Sequence, residues 1–192
     1  MAENEKIEIV GGRKEQAAEI ASLIMEAMDY DCCQNFAGEA HTLQDFHRMM
    51  TSLVSLDDSQ YSYLNTLVAL VDGQIAGCLV GYDGKDLQRL RKRFIEKAAE
   101  YLGRDFSGMD DETQAGEYYL DSLCVKQDFR KRGIATMLIR EAINRHGSQP
   151  VGLLVDHTHP WAERLYRAIG FEFVNEAAWG GHAMNHLQYP AK

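Results

Sequence analysis

The feature that most constrains the fold is a short basic loop that joins an apolar run to a helical pattern. The run Tyr118–Val125 is aromatic and apolar with a period-2 component, which predicts a β-strand. The chain therefore passes from a strand into a helix N-terminus, where the first backbone N–H groups lack partners and the helix dipole favours an anion. The apolar positions that predict the helix are Ile134, Met137, Leu138, Ile139, Ala142 and Ile143.

The loop itself has the composition of a phosphate-binding loop. Arg130, Lys131 and Arg132 supply positive charge, Gly133 allows a ligand to approach the backbone closely, and Ala135 is nearly as small. The spacing is neither that of a Walker loop nor that of a dinucleotide fingerprint. On these residues alone, a basic helix start on the surface remains an alternative.

A second strand-to-helix junction follows along the chain. Residues 151–155 form another strand-like run, Pro160 suits the first turn of a helix, and Gly170 suits the position just past its end. Phe171 begins a further strand-like run. The two junctions together predict alternating strands and helices in this half of the chain.

These two blocks resemble a known family. Arg130-x-x-Gly133-x-Ala135 resembles the pyrophosphate loop of the GNAT-type N-acetyltransferase superfamily, and the Leu165–Tyr166 pair before a Gly-Phe resembles its later motif. The resemblance implies an α+β (mixed α/β) fold with a central, mostly antiparallel sheet flanked by helices. In that fold two central parallel strands splay apart at one end and admit a thioester cofactor.

The resemblance also implies roles for individual residues, with acetyl-CoA as cosubstrate. Tyr166 occupies the position of the general acid, and Asp121 that of a base or an anchor for the amine. A buried packing tyrosine and a hydrogen-bonded strand carboxylate are the alternatives. His159 departs from the family, which frequently has Asn there. The resemblance places these residues at the cofactor: Leu123, Cys124, Val125, Arg130, Lys131, Arg132, Gly133, Ile134, Ala135, Thr136, His159 and Ala162.

Neither the histidines nor the cysteines predict a metal or nucleophilic site. His157 and His159 lie one residue apart, next to Asp156, but no further ligand with suitable spacing follows nearby. The four cysteines lack zinc or disulfide spacing, and Cys78 and Cys124 lie in strand-like runs, where small core residues are expected. We therefore expect no metal and no acetyl-cysteine intermediate.

Charge and hydropathy limit the partners. A net charge of −9 argues against nucleic acid and anionic membranes, and it is compatible with a cationic amine. No run approaches the ~20 apolar residues of a membrane span, and the first residues lack the basic start of a signal peptide. We expect a cytoplasmic enzyme that acetylates an amine-bearing small molecule or a protein amine. The alternative is a non-catalytic acyl-CoA-binding sensor.

The length of 192 residues suits a single domain over residues 1–192. Strands are predicted at 6–10, 65–71, 74–81 and 183–189, and helices at 15–28 and from Thr42 onward. Residues 29–41 show no clear period. In the resembled family this region commonly shapes the acceptor pocket, which makes acceptor-side candidates of Tyr30, Asp31, Phe36, Glu39 and His41.

An inserted segment at residues 83–116 separates two strands that family members usually join by a short turn. It carries a charged helix with an apolar seam, and a seam of this kind must cover something. The partner is left open among the domain's own flank, the mouth of the pocket and a second copy in a homodimer. The seam consists of Leu87, Leu90, Phe94, Ala98, Tyr101 and Leu102.

Overall fold

A seven-stranded sheet forms the centre of the protein in a computed structural model that describes residues 5–192. The strands are β1 Ile7–Gly11, β2 Thr66–Val71, β3 Gln74–Asp83, β4 Tyr118–Val125, β5 Val151–Asp156, β6 Glu172–Trp179 and β7 His182–Tyr189. Their order in the sheet is β1-β2-β3-β4-β5-β7-β6, and neighbouring strands are antiparallel except for the parallel pair β4–β5. The mixed α/β fold with a mostly antiparallel sheet is therefore confirmed.

Helices cover both faces of this sheet. They are α1 Ala17–Met28, α2 Tyr30–Ala37, α3 Leu43–Val54, α4 Leu87–Leu102, α5 Ile134–His146 and α6 Pro160–Ile169. Along β3, Cys78 and Val80 pack into a core with helices α1, α3 and α4, whereas the intervening Leu79 packs with α5. This alternation is that of a strand buried on both faces. Within residues 5–192 no helix is long and apolar enough to cross a membrane.

The parallel pair β4–β5 opens near its start. The two strands are paired only at Tyr118 with Val151 and at Tyr119 with Gly152. Beyond Tyr119, β4 keeps its pairing with β3 but has no pairing with β5. The expected splayed central strands are therefore present, and the separation leaves backbone groups of β4 free on one edge.

Glu117 links the closed end of this pair to the neighbouring strand. Its carboxylate accepts hydrogen bonds from Gln188 (2.8 Å) and lies 2.8 Å from Nε2 of His186, both on β7. A side chain on Gly152 would collide with the Glu117 carboxylate. Glycine at this position therefore allows the carboxylate to cross β5 and join β4 to β7.

A β-bulge interrupts β4 within the splayed region. Val80 of β3 pairs with Ser122, and the next residue, Gly81, pairs with Leu120, so Asp121 is the extra residue. Bulges change the direction in which side chains point and are common next to active sites. The strand expected from the sequence is confirmed, and the bulge is a feature that its alternation did not indicate.

Helix α2 lies in the stretch where the sequence shows no clear period. It has only two buried residues, Cys33 and Ala37, four positions apart. Asp29 precedes it with φ of 72°, and its side chain accepts a hydrogen bond from the Asp31 backbone N–H at 2.9 Å. Two buried positions give too narrow a stripe to stand out, so the helix depends on its cap and on packing.

The apolar seam of the inserted segment is buried inside the chain itself. Phe94, Ala98 and Leu102 belong to the core that α1 and α3 form, and Leu87 and Leu90 pack beside Tyr82 and Tyr119. Of the three alternatives for the seam, the structure therefore shows packing against the domain's own flank. A homodimer stays a prediction, and this seam does not provide its contact surface.

Candidate active site

The basic loop between β4 and α5 turns through two left-handed residues. Gly133, which caps α5, has φ of 79°, and Lys131 has φ of 62°. A Cβ at Gly133 would meet no atom within 4 Å, so the backbone angle rather than space favours glycine there. Among the described residues, the backbone N–H groups of Lys131, Arg132 and Gly133 have no acceptor. They precede the free N–H groups of the helix and form an anion-binding turn.

An open groove of about 210 Å³ lies beside this loop. It combines cationic residues and free N–H groups with apolar walls, which suits a phosphate joined to an apolar chain. Phe129 and Leu165 were not among the expected cofactor residues, although Leu165 belongs to the Leu–Tyr pair of the second motif. The groove is lined by Val125, Phe129, Arg130, Lys131, Gly133, Ile134, Ala135, Thr136 and Leu165.

Two of the three basic side chains in the loop are already held by other groups. Arg130 pairs with Glu26 at 2.8 Å and donates to the Val125 carbonyl at 2.9 Å. Arg132 pairs with Glu5 at 2.6 Å. Lys131 makes no ion pair within residues 5–192, so its charge is free to meet an anion in the groove.

The last residues of β4 differ in the direction of their side chains. Leu123 and Val125 pack toward the α5 side of the sheet, whereas Cys124 is buried on the other side. Burial raises the pKa of the Cys124 thiol to about 12. The thiol is thus a core group, as expected.

Asp121, the bulge residue, is largely enclosed. Its Oδ1 accepts a hydrogen bond from the Ser122 hydroxyl at 2.7 Å, and its Oδ2 lies 3.4 Å from the Tyr82 hydroxyl. Burial, followed by the negative charge of Glu112, raises the pKa of Asp121 to about 7. A carboxylate with this pKa can take up and release a proton near neutral pH.

The neighbours of Asp121 come from distant parts of the chain. Glu112, in the inserted segment, accepts hydrogen bonds from Tyr82 at 2.7 Å and from Gln60 at 3.1 Å. Its other carboxylate oxygen pairs with Arg91 of α4. Sequence reasoning missed these residues because they lie in separate segments and share no motif.

Tyr166 lies on α6, half-buried against the core on the α5 side of the sheet. Its ring packs edge to face on Phe171, with centroids 5.6 Å apart. Burial raises the pKa of Tyr166 to about 12, so the hydroxyl keeps its proton at physiological pH. Within residues 5–192 the hydroxyl has no hydrogen-bond partner, which leaves it free to donate to a ligand.

The other two expected cofactor residues, His159 and Ala162, lie at the start of α6. His159 is the exposed residue that precedes the helix, and its Nδ1 lies 3.2 Å from the Thr158 hydroxyl. Ala162 packs partly buried against the core on the α5 side. Neither residue lines the groove described above. Within residues 5–192, no group of three or more His, Cys, Asp or Glu side chains is arranged to hold a metal ion.

The acceptor-side candidates fall on or next to α2. Phe36 belongs to an aromatic cluster, with its ring centroid 5.2 Å from Phe106 and 6.4 Å from Trp179. Tyr30 is 52% exposed. Glu39 lines a separate open cavity of about 400 Å³. These candidates are therefore dispersed, and they do not form one pocket.

Comparison with known proteins gives a consistent result. The model of the acetyltransferase (GNAT) family matches residues 28–171 of the chain. GCN5-related N-acetyltransferase 4, chloroplastic, of Arabidopsis thaliana is 27% identical over 121 residues, which are 62% of this chain and 36% of that protein. The chain thus spans little more than a third of the length of this curated relative.

Solved structures agree with the fold. The crystal structure of an acetyltransferase is 26% identical, with a TM-score of 0.81 over 96% of this chain and 100% of that chain. An N-acetyltransferase from Staphylococcus aureus Mu50 is 22% identical, with a TM-score of 0.79 over 95% and 100% of the two chains. At this identity the second likeness is evidence of the fold alone.

Proposed function

The chain belongs to the acetyltransferase (GNAT) family, and from this premise we propose that it transfers an acetyl group from acetyl-CoA to a primary amine by direct attack. One observation carries the proposal. The strand β4 separates from β5 just after Tyr119, and Asp121 lies two residues farther along, at the bulge. A titratable carboxylate is thereby located where the sheet opens.

The loop and groove fit the diphosphate and the arm of the cosubstrate. The free N–H groups of residues 131–133, the start of α5 and the Lys131 ammonium would hold the diphosphate. Val125, Ile134 and Leu165 would contact the apolar part of the arm. Acetyl-CoA supplies the thioester whose carbonyl carbon the amine attacks.

Asp121 is proposed as the base. An amine that arrives protonated must lose a proton before it can attack, and the Asp121 carboxylate would accept that proton directly or through a water molecule. With its pKa near 7, Asp121 is ionised at slightly alkaline pH and yet basic enough to compete for the proton. An ordinary exposed Asp, with a pKa of ~3.9, would be a much weaker base.

Tyr166 is proposed as the general acid. Its hydroxyl is protonated at physiological pH and has no partner among the described residues, so it would donate a proton to the departing sulfur. A thiol has a reference pKa of ~8.5, and the resulting thiolate is a moderate acceptor, so the transfer depends on good alignment of the two groups.

The acceptor is proposed as an amine on either a small molecule or a protein. The net charge of −9 and the Asp121 carboxylate favour a cationic acceptor over an anionic one. The dispersed residues of α2 do not distinguish the two acceptor classes.

The first experiment compares the wild type with Tyr166→Phe. Free thiol released from acetyl-CoA is measured across a panel of primary amines, and calorimetry measures coenzyme A binding in the same preparations. We expect thiol release that depends on one amine class and a value of kcat about 10²-fold lower in Tyr166→Phe, with unchanged affinity for coenzyme A. Saturable binding without thiol release on any amine would favour the non-catalytic sensor.

A further inference from the structure

A buried ion pair connects the inserted segment to Asp121. Arg91 of α4 and Glu112 of the following loop pair with side-chain exposures of 5% and 6%. Arg91 also donates to the backbone carbonyl of Asp110 at 2.9 Å, and it pairs with Asp111 at 2.8 Å. The ion pair with Arg91 fixes the position of the Glu112 carboxylate and of its negative charge.

The Tyr82 hydroxyl lies between the two carboxylates and has one proton to donate. It lies 2.7 Å from Glu112 and 3.4 Å from Asp121. The shorter distance is that of a good hydrogen bond and the longer one is not, so the proton points to Glu112. The lone pairs of the hydroxyl are then available to accept a hydrogen bond from Asp121 when Asp121 is protonated.

We propose that Glu112, held by Arg91, is a positioning residue for Asp121: it orients the Tyr82 hydroxyl and places a fixed negative charge beside the Asp121 carboxylate. The protonated form of Asp121 is thereby stabilised, and the charged form is made more basic. The inserted segment thus acts on the reaction through Asp121, without itself contacting the amine. This inference rests on the proposed function in so far as Asp121 is the base.

The groups around Asp121 come from several elements. Tyr61 precedes β2, Tyr82 lies on β3 and Tyr119 on β4, and the Asp121 charge raises the pKa of all three phenols in addition to the effect of burial. The three tyrosines therefore remain neutral at physiological pH. Glu112 is the anion whose charge raises the pKa of Asp121, and Arg91 lies on the far side of Glu112.

The test replaces Glu112→Gln, which preserves size and one acceptor oxygen but removes the charge. The Asp121 carboxyl carbon is followed by 13C NMR as a function of pH, with the signal assigned by its loss in Asp121→Asn. We expect the titration midpoint to fall by about one pH unit or more from its position near 7. A midpoint that stays in place would overturn the inference, and this readout requires no enzyme activity.

Asp111→Asn is the matched control. It removes the same charge from a neighbouring residue that also pairs with Arg91, but Asp111 is 56% exposed and does not contact the Tyr82–Asp121 group. The Asp121 midpoint should stay within a few tenths of a pH unit of the wild type. An equal shift in both variants would overturn the specific role of Glu112.

Because removing the charge of Glu112 leaves the buried Arg91 with only the exposed Asp111 as an ion-pair partner, the double variant Arg91→Met/Glu112→Gln is measured as well. It removes both charges and should fold even where the single variant does not. We expect the midpoint to fall here too, because the double variant also removes the charge of Glu112, which after burial is the main cause of the raised Asp121 pKa. An unchanged midpoint in the double variant would also overturn the inference.

Kinetics separates this inference from the proposed function. The pH dependence of kcat/KM is recorded with one amine for all variants, so that the ionisation of the amine itself is common to them. The acidic limb should move down with the NMR midpoint in Glu112→Gln and stay in place in Asp111→Asn. A midpoint that moves while the limb does not would remove Asp121 from the reaction. Absence of acetyl transfer in the wild type would refute the proposed function, whatever the NMR shows.

Discussion

At the scale of single residues, Asp121 illustrates how surroundings change the chemistry of a side chain. The sequence predicted its strand but offered only an ordinary carboxylate, whose pKa of ~3.9 suits an anchor better than a base. Burial and the charge of Glu112 bring the pKa to about 7. The sequence left open whether Asp121 is a base or an anchor for the amine, and the raised pKa favours the base.

The variant Asp121→Asn distinguishes these roles. Asn has similar shape but cannot accept a proton at neutral pH, so we expect kcat/KM at pH 8 to fall about 10²-fold or more. The affinity for coenzyme A, measured by calorimetry, should be unchanged. An anchor would instead lose affinity for the amine, seen as a raised KM with kcat retained, and that result would contradict the assignment of Asp121 as base.

Gly133 allows a prediction about the cofactor loop. Alanine at φ of 79° is strained by about 1 kcal/mol, and relief of that strain would turn the N–H groups of the loop away from the phosphate. We expect Gly133→Ala to lower both the stability and the affinity for coenzyme A, measured by denaturation and calorimetry.

The matched control is Gly73→Ala in the hairpin between β2 and β3. Gly73 has φ of 82°, and a Cβ there would also meet nothing within 4 Å, but the residue does not line the groove. The Gly73→Ala variant should lose about as much stability as Gly133→Ala but keep the wild-type affinity for coenzyme A. Equal affinities in both variants would show that the backbone of Gly133 does not hold the phosphate.

At the scale of elements, the inserted segment combines a structural contribution with the proposed effect on Asp121. Its apolar seam was clear from helical periodicity, but periodicity does not identify the surface that a seam covers. Packing places the seam in the chain's own core and brings Glu112 beside the bulge. An isolated pattern cannot predict such a neighbour, because Glu112 and Asp121 belong to different local structures.

Phe94 tests the structural contribution of α4. It is 2% exposed, and its ring lies 5.8 Å from Phe36 and 5.7 Å from Phe106. We expect Phe94→Ala to lower the free energy of unfolding by about 3–5 kcal/mol, as measured in urea. Lys92→Ala, on the exposed side of the same helix, should change it by less than about 0.5 kcal/mol. For the same reason, a chain that lacks residues 86–115 should fail to fold.

At the scale of the whole molecule, the largely enclosed Asp121 connects stability to pH. Its pKa is raised from 3.8 to about 7, so the folded protein binds more protons than the unfolded chain between these values. The free energy of unfolding therefore falls, through this group, as pH rises from about 4 to about 7. This loss of stability is the cost of an ionised carboxylate at the open end of the sheet.

Urea denaturation at several pH values between 5 and 8 tests this dependence. Relative to the wild type, Asp121→Asn should become progressively more stable as pH rises, because Asn has no charge to bury. The difference between the two proteins should level off above pH 7. A difference that is constant over the whole range would mean that the Asp121 pKa is the same in the folded and unfolded states.

The sequence by itself determined the features that depend on a few consecutive residues. The strand–loop–helix at Gly133, the strands at residues 65–71 and 74–81 and the helix that follows Thr42 are all present as predicted. The two strands are joined by an Asp72–Gly73 turn with φ of 48° and 82°, and Thr42 begins its helix with a capping box. Each is encoded by local backbone angles, caps or alternation, which neighbouring residues specify. The family resemblance added the mostly antiparallel central sheet and its splayed parallel pair.

Only the tertiary structure decided which distant groups meet. Helix α2, with two buried positions, depends on packing, and the bulge at Asp121 depends on the register with β3. The contact of Glu112 with Tyr82, and through it with Asp121, requires that the inserted segment be folded onto the sheet. The physical reason is that burial and charge interactions depend on distance in space, whereas a sequence pattern records only distance along the chain.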